Sequence, residues 1–268
     1  MSNVEINKKK LLLLGSTGFI GKNLLANITE TYEVVCLNRN QHLNAKNIES
    51  FQPDIIINSA ASSINADFQT SLESNLLLPL ETLTKILKFS DKKTKWIQLG
   101  SYFELQIEYG RSDYYSIHKK NFSQILLDAQ KKDNFTATIL YLPHIVGPGE
   151  KPNRLFPTLI DALNGSNVIL RTNGAQHIPI LSIWDCISEI MESLRAESGK
   201  YAIEPVFYDS LQRLVADFFN NQNSGRIVFT PDVESIDAQF PKLALNQSLR
   251  ATGIGKYTIS EIVGIMRK

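Results

Sequence analysis

The sequence holds only two cysteines, Cys36 and Cys186, in 268 residues. They stand far apart, one in a strand-like run and one at the start of a helical run. That points to buried free thiols in a reducing compartment rather than to a disulfide scaffold. Charge of one sign is also lacking, with 28 Lys and Arg against 27 Asp and Glu and a formal net charge of +1. No basic excess argues for nucleic acid, and no polybasic run argues for a membrane surface. Long apolar runs are missing too. Behind Lys8 to Lys10 the leucines Leu11 to Leu14 stop at Gly15, too short for the apolar region of a signal peptide and far short of a membrane span. No internal repeat and no low-complexity segment is visible, and no metal-ligand set is assigned. The rest is ordinary for a soluble globular enzyme, at 43% hydrophobic and 21% charged residues. A cytoplasmic chain is expected, long enough to bury a full core.

What the chain does have is a glycine turn. The apolar run leads directly into Gly15, Gly18 and Gly21, with Ser16, Thr17, Phe19 and Ile20 between them, and then into a helical pattern. A dinucleotide needs a tight bend, a bare backbone that its pyrophosphate can approach, and a helix N-terminus to meet its negative charge. Glycines at three fixed offsets between a strand and a helix supply all three.

Strand and helix patterns then alternate. Helices are predicted over Phe19–Thr29, Ala66–Phe89 and Tyr114–Lys131. Strands are predicted over Glu33–Leu37, Asp54–Asn58, Trp96–Leu99 and Thr136–Leu142. Short apolar strands separated by helices imply crossover connections and a parallel sheet covered on both faces. The expected class is therefore α/β, a doubly wound Rossmann-type sheet with ligand at the carboxyl ends of its strands. At Pro143 the pattern changes to the Gly- and Pro-rich stretch GPGEKPNRLFP. Residues 1–145 are read as the dinucleotide-binding domain carrying the catalytic residues. Residues 146–268 are read as a smaller substrate lobe that interleaves with the sheet and does not fold alone. In that lobe a helix is expected over Leu155–Leu163, a strand over Val168–Leu170 and a helix over Asp185–Arg195.

The catalytic candidates lie in DYYSIHKK, residues 113–120. Tyr115 and Lys119 are four apart, which puts both side chains on one helix face. An ammonium about 5 Å from a phenol favours its phenolate by about 3 kcal/mol at an effective dielectric near 20. Such a Tyr can give a proton to a carbonyl oxygen, or take one from an alcohol. Ser101 falls at the carboxyl end of the strand Trp96–Leu99, where its hydroxyl can bond the same substrate oxygen. Asn58, Ser59, Ala60 and Ala61 end another strand, and their small side chains let a cofactor lie against the backbone.

Together these motifs resemble the extended short-chain dehydrogenase/reductases, in the NAD-dependent epimerase/dehydratase group that acts on nucleotide sugars. GSTGFIG (15–21) matches that family's glycine turn, NSAA (58–61) resembles its cofactor-lining strand end, and LGS (99–101) matches its Ser/Thr position. Tyr115 and Lys119 match its YxxxK pair. Asn75 resembles an Asn on the helix that packs along the active site. NGAQHIPILSIWDCI (173–187) resembles a segment that usually ends in Val-Asp-Asp, with Asp185 last. The likeness runs over about residues 10 to 200. It implies that Ser101, Tyr115 and Lys119 are catalytic, and that Lys119 also holds the nicotinamide ribose. The cofactor would further meet the glycine turn, Asn38, Arg39, Ser59, Ala60, Ala61, Asn75 and Pro143. Substrate would meet Ser62, Tyr102, His144, Arg154 and His177. The family often dimerises through the helices that carry Tyr115 and Leu72 to Leu87, which implies a homodimer.

The second strand ends in Leu37-Asn38-Arg39-Asn40, with no acid to accept from an adenosine ribose hydroxyl. Arg39 can pair instead with a 2′-phosphate, so NADP(H) is the expected cofactor. Two features depart from the family pattern. Only fourteen positions separate Ser101 from Tyr115, which removes places where epimerases and dehydratases carry extra acids or bases. Glu104 and Glu108 in that stretch read as exposed loop carboxylates. Ile178 stands where the family often has an Arg for the sugar-nucleotide pyrophosphate, leaving Arg154, Arg171 or His177 to serve. The expected activity is NADPH-dependent reduction of a nucleotide-linked 4-keto-6-deoxyhexose, similar to the bacterial 4-ketoreductases that make deoxysugars for surface polysaccharides. The alternative is a 4-epimerase that holds NAD tightly, running on the same three residues. A non-catalytic nucleotide sensor would usually lose the Tyr-Lys pair, which is retained here.

Overall fold

A computed structural model describes residues 8–37, 50–131, 135–219, 226–230, 250–251 and 257–267. They fall into two compact units, residues 1–141 with 190–201 and residues 142–189 with 202–268.

The sheet of the first unit is built from β1 (Lys10–Leu14), β2 (Glu33–Leu37), β3 (Ile55–Asn58), β4 (Thr94–Ser101), β5 (Phe135–Leu142) and β9 (Gly199–Ala202). They run in the order β9-β5-β4-β3-β1-β2. β1 pairs in parallel with both β2 and β3, and β3 pairs in parallel with β4. Parallel neighbours need crossover connections, and here helices supply them. Leu11 to Leu14 and Ile55 to Ile57 are buried without alternation, as a strand covered on both faces requires. Leu12, Leu14, Ile56, Leu83, Ile86, Trp96, Phe122 and Leu126 share one core that holds the helices Leu78–Phe89 and Tyr114–Ala129 to this sheet. The segment 190–201 joins the same unit through Lys95, whose Nζ donates to the carbonyls of Ser193 and Ala196 at 2.8 and 2.6 Å. The doubly wound α/β expectation is what the chain adopts.

The long helix expected over Ala66–Phe89 is not regular. It starts at Asp67, whose side chain caps Thr70 N, and runs as α-helix over Phe68–Leu72. It then widens to a π turn over Glu73–Leu77 and resumes as α-helix over Leu78–Phe89. A π turn of this kind re-aims the side chains within it, and Asn75 is one of them.

The second unit contains β6 (His144–Val146), β8 (His177–Ser182) and β10 (Phe207–Ser210), in the order β10-β8-β6. A second small pair joins β7 (Val168–Leu170) to β11 (Ile227–Phe229) in parallel. Helix Leu155–Leu163 packs Phe156, Leu159, Ile160 and Leu163 against Leu211, Leu214 and Phe218 of helix Leu211–Phe219 and against Ile262. Asp185 is buried in this unit, in the first turn of helix Ile183–Ser193. Its N–H donates to Ser182 Oγ at 3.0 Å, and its carboxylate accepts from Ser182 Oγ at 2.6 Å and from Tyr257 N at 3.2 Å. Both cysteines are free. Cys186 is buried and Cys36 is half-buried, and burial holds the Cys186 thiol well above its ordinary range. Among the described residues no helix is long and apolar enough to cross a membrane.

Candidate active site

The first unit brings the glycine turn and the end of β3 into direct contact. Gly15 has φ +80°. A Cβ there would lie 2.5 Å from Ala60 N and 2.8 Å from the Ser59 carbonyl carbon. Gly21 is tighter still, since its Cβ would sit 2.1 Å from Gly15 O. Ser59 closes the junction by donating through both N and Oγ to Leu14 O, at 3.0 and 2.7 Å. Ala60 N donates to Asn58 Oδ1 at 3.1 Å, and Asn58 Nδ2 to Gln98 Oε1 at 3.0 Å.

Helix Phe19–Ile28 begins at Gly18 with no side-chain cap and no acid in its first turn. An uncapped helix start leaves amide donors and a positive dipole end for an anion. Thr17 and Gly18 are exposed, Phe19 and Ile20 half-buried, and Ser16 buried. A bare turn, an uncapped helix start and small residues at the neighbouring strand end fit a dinucleotide pyrophosphate. Asn38 and Arg39 lie outside the described residues.

Ser101 and Lys119 are held around a residue whose surroundings were not legible in sequence. Ser101, the last residue of β4, is the N-cap of helix Tyr102–Leu105. Its Oγ accepts from Phe103 N at 3.2 Å, and its N donates to Glu104 Oε1 at 2.8 Å. The cap uses an Oγ lone pair and leaves the hydroxyl proton for another acceptor. Glu104 is therefore not the exposed loop carboxylate that the sequence suggested. It is 2% exposed, and its Oε2 accepts from Ser123 Oγ at 2.8 Å. Burial holds its carboxyl above the usual range, with the Lys119 charge and these hydrogen bonds pulling the other way. Glu108 is exposed, as expected. The signal for Glu104 was present as Ser-x-x-Glu, the capping-box pattern.

Lys119 is buried, and its Nζ donates to Leu99 O at 2.7 Å while lying 5.6 Å from the centre of the Tyr115 ring. Tyr115, Lys119 and Ser123 thus follow at four-residue steps along helix Tyr114–Ala129, whose start Asp113 caps by accepting from Ser116 N at 2.9 Å. The Tyr115 ring meets Phe103 edge to face at 6.5 Å, and the Arg111 guanidinium stacks 3.7 Å over Phe103. Leu99, Ser101, Glu104, Tyr115 and Lys119 form one connected group.

Asn75 is buried in the π turn. Its Nδ2 donates to Ser62 Oγ at 2.7 Å and Ser71 Oγ at 3.1 Å, and its Oδ1 accepts from Ser62 N at 3.2 Å. Ser71 Oγ in turn shares a 3.0 Å hydrogen bond with His118 Nδ1. Asn75 is thereby committed to positioning the chain after β3, and His118, unremarked in the sequence, ties that network to the Tyr115 helix. Ala61 is exposed in the same stretch, and Tyr102 is buried at 4% exposure.

The remaining sequence-selected residues belong to the second unit. Pro143 is buried just before β6. His144 opens β6, and Arg154 is the N-cap of helix Leu155–Leu163. His177 is exposed at the start of β8, its ring edge-on to Tyr208 at 6.1 Å. Among the described residues no group of three or more His, Cys, Asp or Glu is placed to hold a metal.

Comparison with known proteins adds four findings. The model of the NAD dependent epimerase/dehydratase family matches residues 11–203. A CDP-abequose synthase of Yersinia pseudotuberculosis is 25% identical over 217 residues, covering 72% of this chain and 75% of that protein. Among solved structures, UDP-glucose 4-epimerase of Thermotoga maritima with UDP-glucose has a TM-score of 0.77 at 15% identity, covering 96% of this chain and 97% of that one. RMD of Pseudomonas aeruginosa complexed with NADPH has a TM-score of 0.74 at 15% identity, covering 97% and 98%.

Proposed function

This chain belongs to the NAD-dependent epimerase/dehydratase family, as an NAD(P)-dependent enzyme of the short-chain dehydrogenase/reductase type, and we propose that it reduces the keto group of a nucleotide-linked 4-keto-6-deoxyhexose with NADPH. A nucleotide-sugar substrate is supported by the similarity to a protein named CDP-abequose synthase. Fold likeness alone does not separate reduction from epimerisation. Arg39 in the sequence, which favours a consumed NADPH over a tightly held NAD, is what favours reduction over epimerisation, and the inward turn of Glu104 argues against dehydration. The acid nearest to Ser101 is occupied by the Ser101 amide and the Ser123 hydroxyl. Ser101, Tyr115 and Lys119 are left without an auxiliary acid from that stretch, and a simple carbonyl reduction needs no more than these three.

The glycine turn, the uncapped start of helix Phe19–Ile28 and the Ser59–Ala60 backbone would hold the dinucleotide, whose nicotinamide supplies hydride when bound. Ser101 Oγ, its proton free of the cap, donates to the substrate carbonyl oxygen and polarises it. Tyr115 gives that oxygen its proton as negative charge develops there. Lys119 keeps a positive charge beside the phenol, anchored by Leu99 O. Preference for NADPH rests on Arg39 in the sequence, an arginine where NAD-binding members carry an acid.

A panel of CDP-, dTDP-, UDP- and GDP-linked 4-keto-6-deoxyhexoses, read at the nicotinamide absorbance, tests the reading. One member should consume NADPH stoichiometrically, and Tyr115→Phe should abolish turnover by about 10²-fold or more with NADPH binding intact. Sugar interconversion without net NADPH consumption would make the protein an epimerase, and tighter binding of NADH would reverse the cofactor assignment. A homodimer is proposed on the same family grounds. It is supported by the half-exposed pair Phe68 and Tyr114, 5.2 Å apart edge to face, and by exposed Leu77 and Ile125. Light scattering of the purified protein decides its mass.

A further inference from the structure

The helix that carries Tyr115 and Lys119 reaches the chain after β3 through a row of hydrogen bonds, and each proton in that row can be placed. Ser62 N is a donor only, so the atom of Asn75 that meets it at 3.2 Å is the amide oxygen. That fixes the amide. Its two N–H bonds then go to Ser62 Oγ at 2.7 Å and Ser71 Oγ at 3.1 Å. Ser71 is fully buried, and its oxygen accepts from Asn75. Its single hydroxyl proton has His118 Nδ1, 3.0 Å away, as its partner. A proton on Nδ1 would set two donors on Ser71 Oγ and leave the buried hydroxyl proton without that partner, at the desolvation cost of an unmet donor. Nδ1 is therefore bare, and the neutral ring carries its proton on Nε2.

Packing keeps Nδ1 aimed at Ser71. His118 is buried. Phe68 stands edge-on to its ring at 5.4 Å, and Tyr114, one turn earlier on the same helix, stacks on it at 6.3 Å with 16° between the planes. Ser71 and Asn75 are also four apart, one in helix Phe68–Leu72 and one in the π turn. Without an acceptor at residue 118, the Ser71 hydroxyl is free to donate to Asn75 instead of accepting from it. The amide can then turn over and set Nδ2 against Ser62 N, donor facing donor, and the chain at Ser62 loses its hold.

We propose that His118 is a positioning residue for the dinucleotide, an inference that rests on the cofactor reading above. As the acceptor at the head of the row, it fixes the Asn75 amide and through it the course of residues 59–62, against which the dinucleotide lies. It acts through Asn75 and not on the cofactor itself. The role asks one thing of residue 118, an acceptor at the place of Nδ1. The packing of its ring is a separate contribution, to stability, and substitution divides the two. Asparagine carries its Oδ1 the same number of bonds from the backbone as Nδ1, so it offers the acceptor without the ring. Phenylalanine offers the ring without the acceptor.

The test measures NADPH and NADH binding by fluorescence titration, and thermal unfolding, for the intact wild-type protein, His118→Asn and His118→Phe. The dinucleotide that the wild type binds more tightly is the probe. His118→Phe should weaken it about 5- to 10-fold, within the range for one neutral hydrogen bond, whereas His118→Asn should stay within about twofold of the wild type. The unfolding midpoints should run the other way, with His118→Asn the lower, because it gives up the ring contacts with Phe68 and Tyr114. Affinities that follow the midpoints, equal weakening by both variants, or no weakening by His118→Phe overturns the positioning role. A second measurement uses the wild type alone. In protein with labelled histidine nitrogens, read by NMR at about pH 8, where a free imidazole is neutral, His118 should show a protonated Nε2 and a bare Nδ1. A proton on Nδ1 overturns the order of donors and the role with it. A wild type that binds neither dinucleotide overturns the cofactor reading itself, and the role with it.

Discussion

Glu104 lies directly beneath Ser101, its Oε1 accepting the Ser101 amide at 2.8 Å while its Oε2 takes Ser123 Oγ at 2.8 Å. The first bond is one half of a capping box, and the second ties that cap to the helix that carries Tyr115 and Lys119. Glu104→Ala strands a buried amide and a buried hydroxyl and leaves a void. It should cost about 3 kcal/mol in urea unfolding, with kcat falling about tenfold as Ser101 loses its anchor. Glu104→Gln keeps an acceptor for the Ser101 amide and should retain most of both. If Ala and Gln behave alike, the hydrogen bond is not what positions Ser101.

The same carboxyl makes stability depend on pH in a predictable direction. Burial, the largest influence, raises its affinity for a proton above the ordinary value of 4.5 in the folded chain. The folded state then binds that proton more tightly than the unfolded state does, and its stability falls as pH rises from the unfolded value through the raised one. Glu104→Gln lacks this proton. The unfolding free energy of Glu104→Gln minus that of the wild type should grow from pH 4 toward pH 7. A difference that stays flat across that range would mean that the carboxyl titrates normally.

The glycine turn separates two effects of a single methyl group. A Cβ on Gly15 meets the Ala60 backbone at 2.5 Å, and the φ of +80° is itself unfavourable for alanine. A Cβ on Gly21 meets Gly15 O at 2.1 Å. Neither neighbour is a flexible side chain, so the turn must open. Gly15→Ala and Gly21→Ala should each weaken NADPH binding at least about tenfold and destabilise by about 1–3 kcal/mol. Gly18→Ala meets only Gly15 O at 3.3 Å and should be the mildest of the three in stability. Fluorescence titration with NADPH and urea unfolding rank them.

The sequence made this turn readable because each of its requirements is local: three offsets, one strand, one helix. The sheet was readable for a similar reason, since Leu11 to Leu14 and Ile55 to Ile57 can only be buried on both faces. Two parts of the site depend on long-range contacts that no local window shows. Glu104 sits in a short stretch between two elements and looks like a loop carboxylate. Its burial comes from the Tyr114–Ala129 helix, which closes over it with Ser123 and Lys119. Asn75 was legible as a position but not as a hub, because its partners Ser62 and Ser71 meet it only through the π turn.

The buried pair of Glu104 and Lys119 offers the sharpest measure of how this site is held together. The positive charge of Lys119 acts on Glu104 against its burial, and Lys119 also satisfies Leu99 O at 2.7 Å. Removing one of two coupled buried groups leaves the other without its partner, whereas removing both does not. Lys119→Met keeps the length of the side chain, deletes the ammonium and strands both Leu99 O and Glu104. It should therefore cost more than the loss of one hydrogen bond. Glu104→Gln removes the ionisable group on which the Lys119 charge acts. The double variant removes the mutual dependence, so its loss of stability should fall short of the sum of the single losses by about 0.5–3 kcal/mol, the range for residues in one network. Catalysis should not recover in step, because the ammonium beside Tyr115 is still missing. Urea unfolding of the four proteins at neutral pH gives the coupling, and turnover of the same four shows whether stability and activity part company. Strict additivity would mean that the two charges do not sense one another, and Glu104 would then be an anchor for Ser101 alone.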